Sequence, residues 1–393
     1  PLTANDTPTP APTFTLSPSP IPTATPTPLP SPTPPPAERL EMGVSSLFVG
    51  DTEGARAEYE SALAPAGDAE TRAQAEVGIA KSYFYERNYE QSAARLKTLV
   101  EAYPGVTTLA EAWYFLGESY AALDKYELAA EAFEQYLVLR PELLAGYIEE
   151  QRGDLLLAAQ NGPAAAAAFQ KALDAALPGD PVWLRLKLAQ ALTMQNDYKA
   201  SVTLLLDIYQ NSTNDYVRAQ ADWLLAQAYS ALGVPEQAQA RYLDSVINFP
   251  ASYDSYAGLV ELVNQGVQVS DLNRGIVDYY AGQYSLCVDA LNRYIDLGKP
   301  ADADAFYFRG LCLRQVDQAE NALVDFEEVI QNYKGDSYWI SAVEAKTYTL
   351  WAYLDRYEEA AEVLLAYAGQ TPDAADAPDA LYDAARIYER GGQ

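Results

Sequence analysis

The chain has 393 residues, 49 % of them hydrophobic and 11 % aromatic, enough for one elongated domain or two with sizeable cores. Its 55 acids against 26 lysines and arginines give a formal charge of −29, a field that repels nucleic acid and anionic lipid and suits a solvated surface or cationic partners. Histidine is absent, which removes the commonest general base and metal ligand, and no apolar run reaches the roughly 18 residues of a membrane span.

Residues 1–37 form the first segment. Up to residue 36 they hold 14 of the 25 prolines, and the stretch PTATPTPLPSPTPPP has no charge and no periodic apolar face. Proline fixes φ and removes donors, so an extended polyproline-II tail is expected, unable to fold alone. It serves as a spacer or as an O-glycosylated stalk, and Thr23, Thr25, Thr27 and Thr33 are the candidate acceptors. The chain opens on Pro1 with no Met and no visible leader, so either a leader has been removed or the sequence has been trimmed; the expectation is an exported product, outside the cell, on its surface or in the periplasm.

From about 38 onward, prolines and glycines punctuate apolar-periodic segments, which predicts helix throughout. The clearest unit, AWYFLGESYAALDKYELAAEAFEQYLVLRP, spans 112–141. Leu116 and Tyr120 share a helical face, Gly117 and Ala129 are small where two helices approach closely, and Pro141 stops the second helix. Trp113, Leu116, Gly117, Tyr120, Tyr126, Ala129, Phe133, Tyr136 and Pro141 resemble the tetratricopeptide-repeat motif. Equivalent residues recur nine times, mostly 35 to 38 apart, with one interval of 49. This gives repeats one to six over 38–250, an extra helix and register break at 251–268, and repeats seven to nine plus a terminal helix over 269–393. The resemblance implies an all-α superhelix, an α-solenoid in which each helix pair buries its apolar side against its neighbours and leaves a long concave face.

The body is also similar to the superhelical, non-catalytic arm of bacterial soluble lytic transglycosylases, in its degenerate repeats, the interrupted register at FPASYDSYAGLVELVNQG and the closing ALYDAARIYERGG. In those enzymes a lysozyme-like domain with a catalytic glutamate follows the arm. Nothing in this sequence corresponds to that domain.

The acids offer no convergent catalytic pair: Glu149 and Glu150, or Glu327 and Glu328, are adjacent and do not share a helical face. No metal-ligand spacing appears, no cofactor is expected, and the chain reads as non-enzymatic. The resemblance places Tyr114, Trp223, Tyr307 and Tyr382 on the groove side of first helices, with Phe84, Glu118 and Tyr147 nearby. These residues either bind peptide or sugar rings, or pack between adjacent first helices. Cys287 and Cys312 fall on helices that should pack together; they form a disulfide or remain two small core residues. A scaffold for protein, peptide or glycan partners is the leading expectation. A fibre subunit stacked head to tail, and the arm of an enzyme, are the alternatives.

Overall fold

The computed structural model describes residues 34–63, 67–142, 144–176, 178–297 and 302–393. Thr23, Thr25, Thr27, Thr33 and nearly all of the proline-rich tail lie outside them. Among the described residues the chain forms twenty α-helices and no strand. The first twelve are α1 (Pro36–Phe48), α2 (Thr52–Leu63), α3 (Ala69–Tyr85), α4 (Tyr89–Ala102), α5 (Leu109–Ala122), α6 (Tyr126–Leu139), α7 (Ala145–Ala158), α8 (Gly162–Asp174), α9 (Val182–Met194), α10 (Tyr198–Asn211), α11 (Asp215–Ala231) and α12 (Pro235–Asn248). Then come α13 (Tyr253–Asn264), α14 (Asp271–Tyr280), α15 (Tyr284–Asp296), α16 (Ala303–Gln315), α17 (Ala319–Asn332), α18 (Trp339–Tyr353), α19 (Tyr357–Gln370) and α20 (Ala377–Arg390).

Each helix packs chiefly on the helices before and after it, so the core runs as a string of clusters along the chain rather than as one centre. A three-residue turn joins the two helices of a pair, and its chemistry repeats. Arg87, Asp124, Gln160, Asn196, Gly233, Gly282, Asp317 and Asp355 sit in equivalent turns, and all have positive φ. The backbone reverses there through the left-handed region, which glycine enters freely and Asn or Asp at low cost. In all of these turns but that of Asp355, the residue after the left-handed one donates its N–H to a carbonyl five back, as Lys125 does to Tyr120, Asn161 to Leu156 and Asp197 to Leu192. Asn88, Asn161 and Asp197 cap the second helices that follow by accepting from the backbone three residues on.

Inside each pair a large side chain of the second helix lies on a small residue of the first. Phe133, Phe169 and Phe326 are fully buried in this way. A Cβ on Gly153 would stand 2.4 Å from the Phe169 ring, and one on Gly310 would stand 2.6 Å from Phe326. The glycines therefore set how closely the two helices of a pair approach.

First helices also touch the first helices of neighbouring pairs: α1 with α3, α3 with α5, α7 with α9, α9 with α11, and α16 with α14 and α18. Among the described residues no two second helices pack on each other as closely as these first helices do. The first helices therefore lie closer together and line the inner side of the curve. At the long interval, α13 packs on α11 and α12 in the place of a first helix, and α14 follows it directly without an intervening second helix. Cys287 on α15 and Cys312 on α16 are joined by a disulfide, with Cα atoms 6.4 Å apart, which ties two consecutive pairs.

Candidate functional site

The inner face is built from side chains of first helices that point away from their own second helix. Polar rungs cross it from one first helix to the next. Lys81 bridges to Glu111 at 2.7 Å, Gln151 donates to Glu118 at 2.8 Å, and Lys187 reaches Glu150 at 2.9 Å and Asp154 at 2.8 Å. Burial works against the Lys187 charge, but hydrogen bonds to Asp154 and Glu150 outweigh it and raise its pKa. Further along, Arg314 lies 5.2 Å from the Tyr348 ring and 5.5 Å from that of Tyr353.

The seven residues expected at the groove are spread from α3 to α20 and do not converge on one point. Phe84 is half-buried, edge-on to Tyr89 and Phe115 at 5.4 and 5.3 Å. Tyr114 packs against Phe133 and Tyr136; burial, with Glu118 next to it, pushes its pKa up to about 12. Trp223 lies 5.5 Å from Tyr242, and Tyr307 stacks on Tyr338 at 4.9 Å. These four rings act largely as spacers between helices. Glu118 is held in a rung. Tyr147 and Tyr382 stand open, 48 % and 63 % exposed.

Several exposed first-helix rings were not singled out from the sequence: Tyr85, Tyr280, Tyr348 and Tyr353. Tyr85 and Tyr280 hold equivalent places near the ends of α3 and α14, in the strings SYFYER and VDYYAG, and that shared ending was a usable signal. For α18 no such signal exists. The last turn of α18 holds one residue more than those of the other first helices: the connection to α19 is again three residues, but Arg356 donates to Leu350, six back rather than five. The extra residue shifts the phase of α18, so that Trp351 and Tyr348 line a cavity of about 660 Å³ opening between α18 and α20. Arg390 lies 4.6 Å over the Trp351 ring, and Arg386 lies 5.7 Å over Tyr382.

Stacked helix pairs, a left-handed turn in register and an inner face of polar rungs and open rings define a helical-repeat scaffold. Residues 77–143, 151–216 and 272–337, together just over half of the chain, match the tetratricopeptide-repeat family model. The chain belongs to the tetratricopeptide-repeat family. Among solved structures, it is similar to a tetratricopeptide repeat protein of Parabacteroides merdae, at 16 % identity over 80 % of this chain and 98 % of that one, with a TM-score of 0.37. It is also similar to pilF of Pseudomonas aeruginosa, at 17 % identity over 57 % of this chain and 97 % of that one, TM-score 0.35. The apo form of the quorum sensor NprR from B. thuringiensis matches at 14 % identity over 90 % of this chain and 97 % of that one, TM-score 0.35. No curated protein matches the chain. Among the described residues no helix is long and apolar enough to cross a membrane.

Proposed function

We propose that this interaction scaffold holds extended polypeptide segments of partner proteins along the inner, first-helix face. The observation that carries the reading is the row of open tyrosines on first helices, Tyr85, Tyr147, Tyr280 and Tyr348, set among paired polar rungs. Open rings supply apolar contact at low entropic cost, and the rungs supply donors and acceptors for a peptide backbone. Val138 and Val324, exposed on the second helices α6 and α17, serve as controls on the opposite face.

The test is selection of a displayed peptide library on the whole chain. Enriched peptides should lose about tenfold or more in affinity on Tyr147→Ala or Tyr280→Ala and be unchanged on Val138→Ser or Val324→Ser. The reverse pattern sinks the reading.

An exported location is part of the proposal. It is supported by the Cys287–Cys312 disulfide and by a tail composition suited to O-glycans. Intact mass of the natural product checks this: bare, reduced protein would contradict it. End-to-end self-association is the second reading, favoured by Phe48, 91 % exposed beside Val44 and Val49 at one end, and Leu381, exposed on α20 at the other. A sedimentation coefficient that rises with concentration and stops rising in Phe48→Glu would support it; a constant monomer value would remove it.

A further inference from the structure

We propose that the cavity between α18 and α20 is a binding site for a neutral saccharide. It adjoins the row of open tyrosines, sharing Tyr348 with it, and goes beyond the polypeptide reading. Its wall has two kinds of surface. One is aromatic: the rings of Trp351 and Tyr348 meet at 5.3 Å and 89°, which makes a corner with two faces. The other is charged but mixed, with Glu344, Asp383 and Glu389 set among Arg386 and Arg390.

The mixture selects the ligand. An anion entering the cavity meets three carboxylates inside a molecule that already carries −29, and a cation meets two guanidinium groups that offset most of the attraction of those carboxylates. A polyhydroxylated, uncharged molecule meets no such penalty. Its hydroxyls donate to the carboxylates and accept from the guanidinium groups, and hydrogen bonds with one charged partner are the stronger kind. The C–H faces of a pyranose ring cover aromatic surface that is otherwise wet. The Arg390 guanidinium, 4.6 Å from the centre of the Trp351 ring, adds a planar donor at the edge of that wall. A volume of about 660 Å³ accommodates a short oligosaccharide and is in the usual range for small-ligand sites.

The site exists because of one residue. With a turn of the common length, the residue four before the left-handed residue, here Trp351, would be held like Tyr120 or Leu313, donated to by the residue that follows the left-handed one. In this repeat that place passes to Leu350, which is buried, and Trp351 moves on to the cavity wall.

The experiment is calorimetric titration of the full chain with maltotriose and with chitotriose, each up to roughly 20 mM, beside a glutamate-rich and a lysine-rich hexapeptide. Tryptophan emission is read in parallel. At least one trisaccharide should saturate and quench emission. Its affinity should fall about tenfold or more in Trp351→Ala and in Arg386→Ala, the latter changing an exposed side chain that leaves the thermal midpoint in place. The proposal is overturned if neither sugar saturates, if either charged peptide binds more tightly than both sugars, or if sugar binding survives both substitutions. Failure here leaves the peptide selection on Tyr147 and Tyr280 untouched.

Discussion

Asp222→Asn should make the chain more stable as the pH rises, relative to the parent. Asp222 sits on α11, fully buried. One oxygen accepts from Arg241 Nη1 at 3.2 Å, and the other has no hydrogen-bond donor. Burial, with Asp244 adjacent, pushes its pKa up to about 8 against the pull of Arg241. When protonated, Asp222 can share its proton with Asp244, which also accepts from Tyr209. The sign follows from linkage. Between about 4 and about 8 the folded chain keeps a proton that the unfolded chain has lost, so this group's contribution falls as the pH rises. The slope is at most about 1.4 kcal/mol per pH unit, and the whole effect is on the order of 5 kcal/mol. That figure is a ceiling, since relaxation and water entry relieve a buried charge. Asparagine keeps the shape and cannot ionise. Urea unfolding of both proteins at half-unit steps from roughly pH 4.5 to 8.5 gives the difference directly, with all other titrations cancelling. The variant should match or trail the parent at the acid end and exceed it at the alkaline end. A difference that stays flat across the range would refute the reasoning.

Two further outcomes test the packing. Gly310→Ala places a Cβ 2.6 Å from the fully buried Phe326 ring and should cost about 1–3 kcal/mol in urea unfolding; an unchanged midpoint would mean the helix pair can open freely. Reducing the Cys287–Cys312 bond, which closes a separation of 25 residues, should lower stability by about 3 kcal/mol, and Cys312→Ser should make the chain insensitive to reductant. Equal midpoints with and without reductant would contradict that.

Much of the fold could be read in the sequence because each repeat is closed by local rules. A small residue, a bulky ring sixteen positions on and a turn between them are all set within one helix pair, as Gly117 and Phe133 show. At the interval of 49 in the spacing the chain places α13. The groove was harder to read. Trp223 and Tyr307 share the inward register with Tyr382, yet the first two are covered by Tyr242 and Tyr338 while Tyr382 stays open. Cover comes from the second helix of the same pair for Trp223 and from the start of the next pair for Tyr307, and the inward register alone does not report it.

The sequence by itself determined that helices form in pairs, how long they are and that they stack in one direction, because helix periodicity, turn residues and small-to-large contacts act over tens of residues. Only the tertiary structure decided which side chains face the groove at the far end. One additional residue before Arg356 turns α18 about its axis and places Trp351 beside Arg390, forty residues away in sequence by rough count. A helix advances about 100° per residue, so a single insertion exchanges a buried face for an open one.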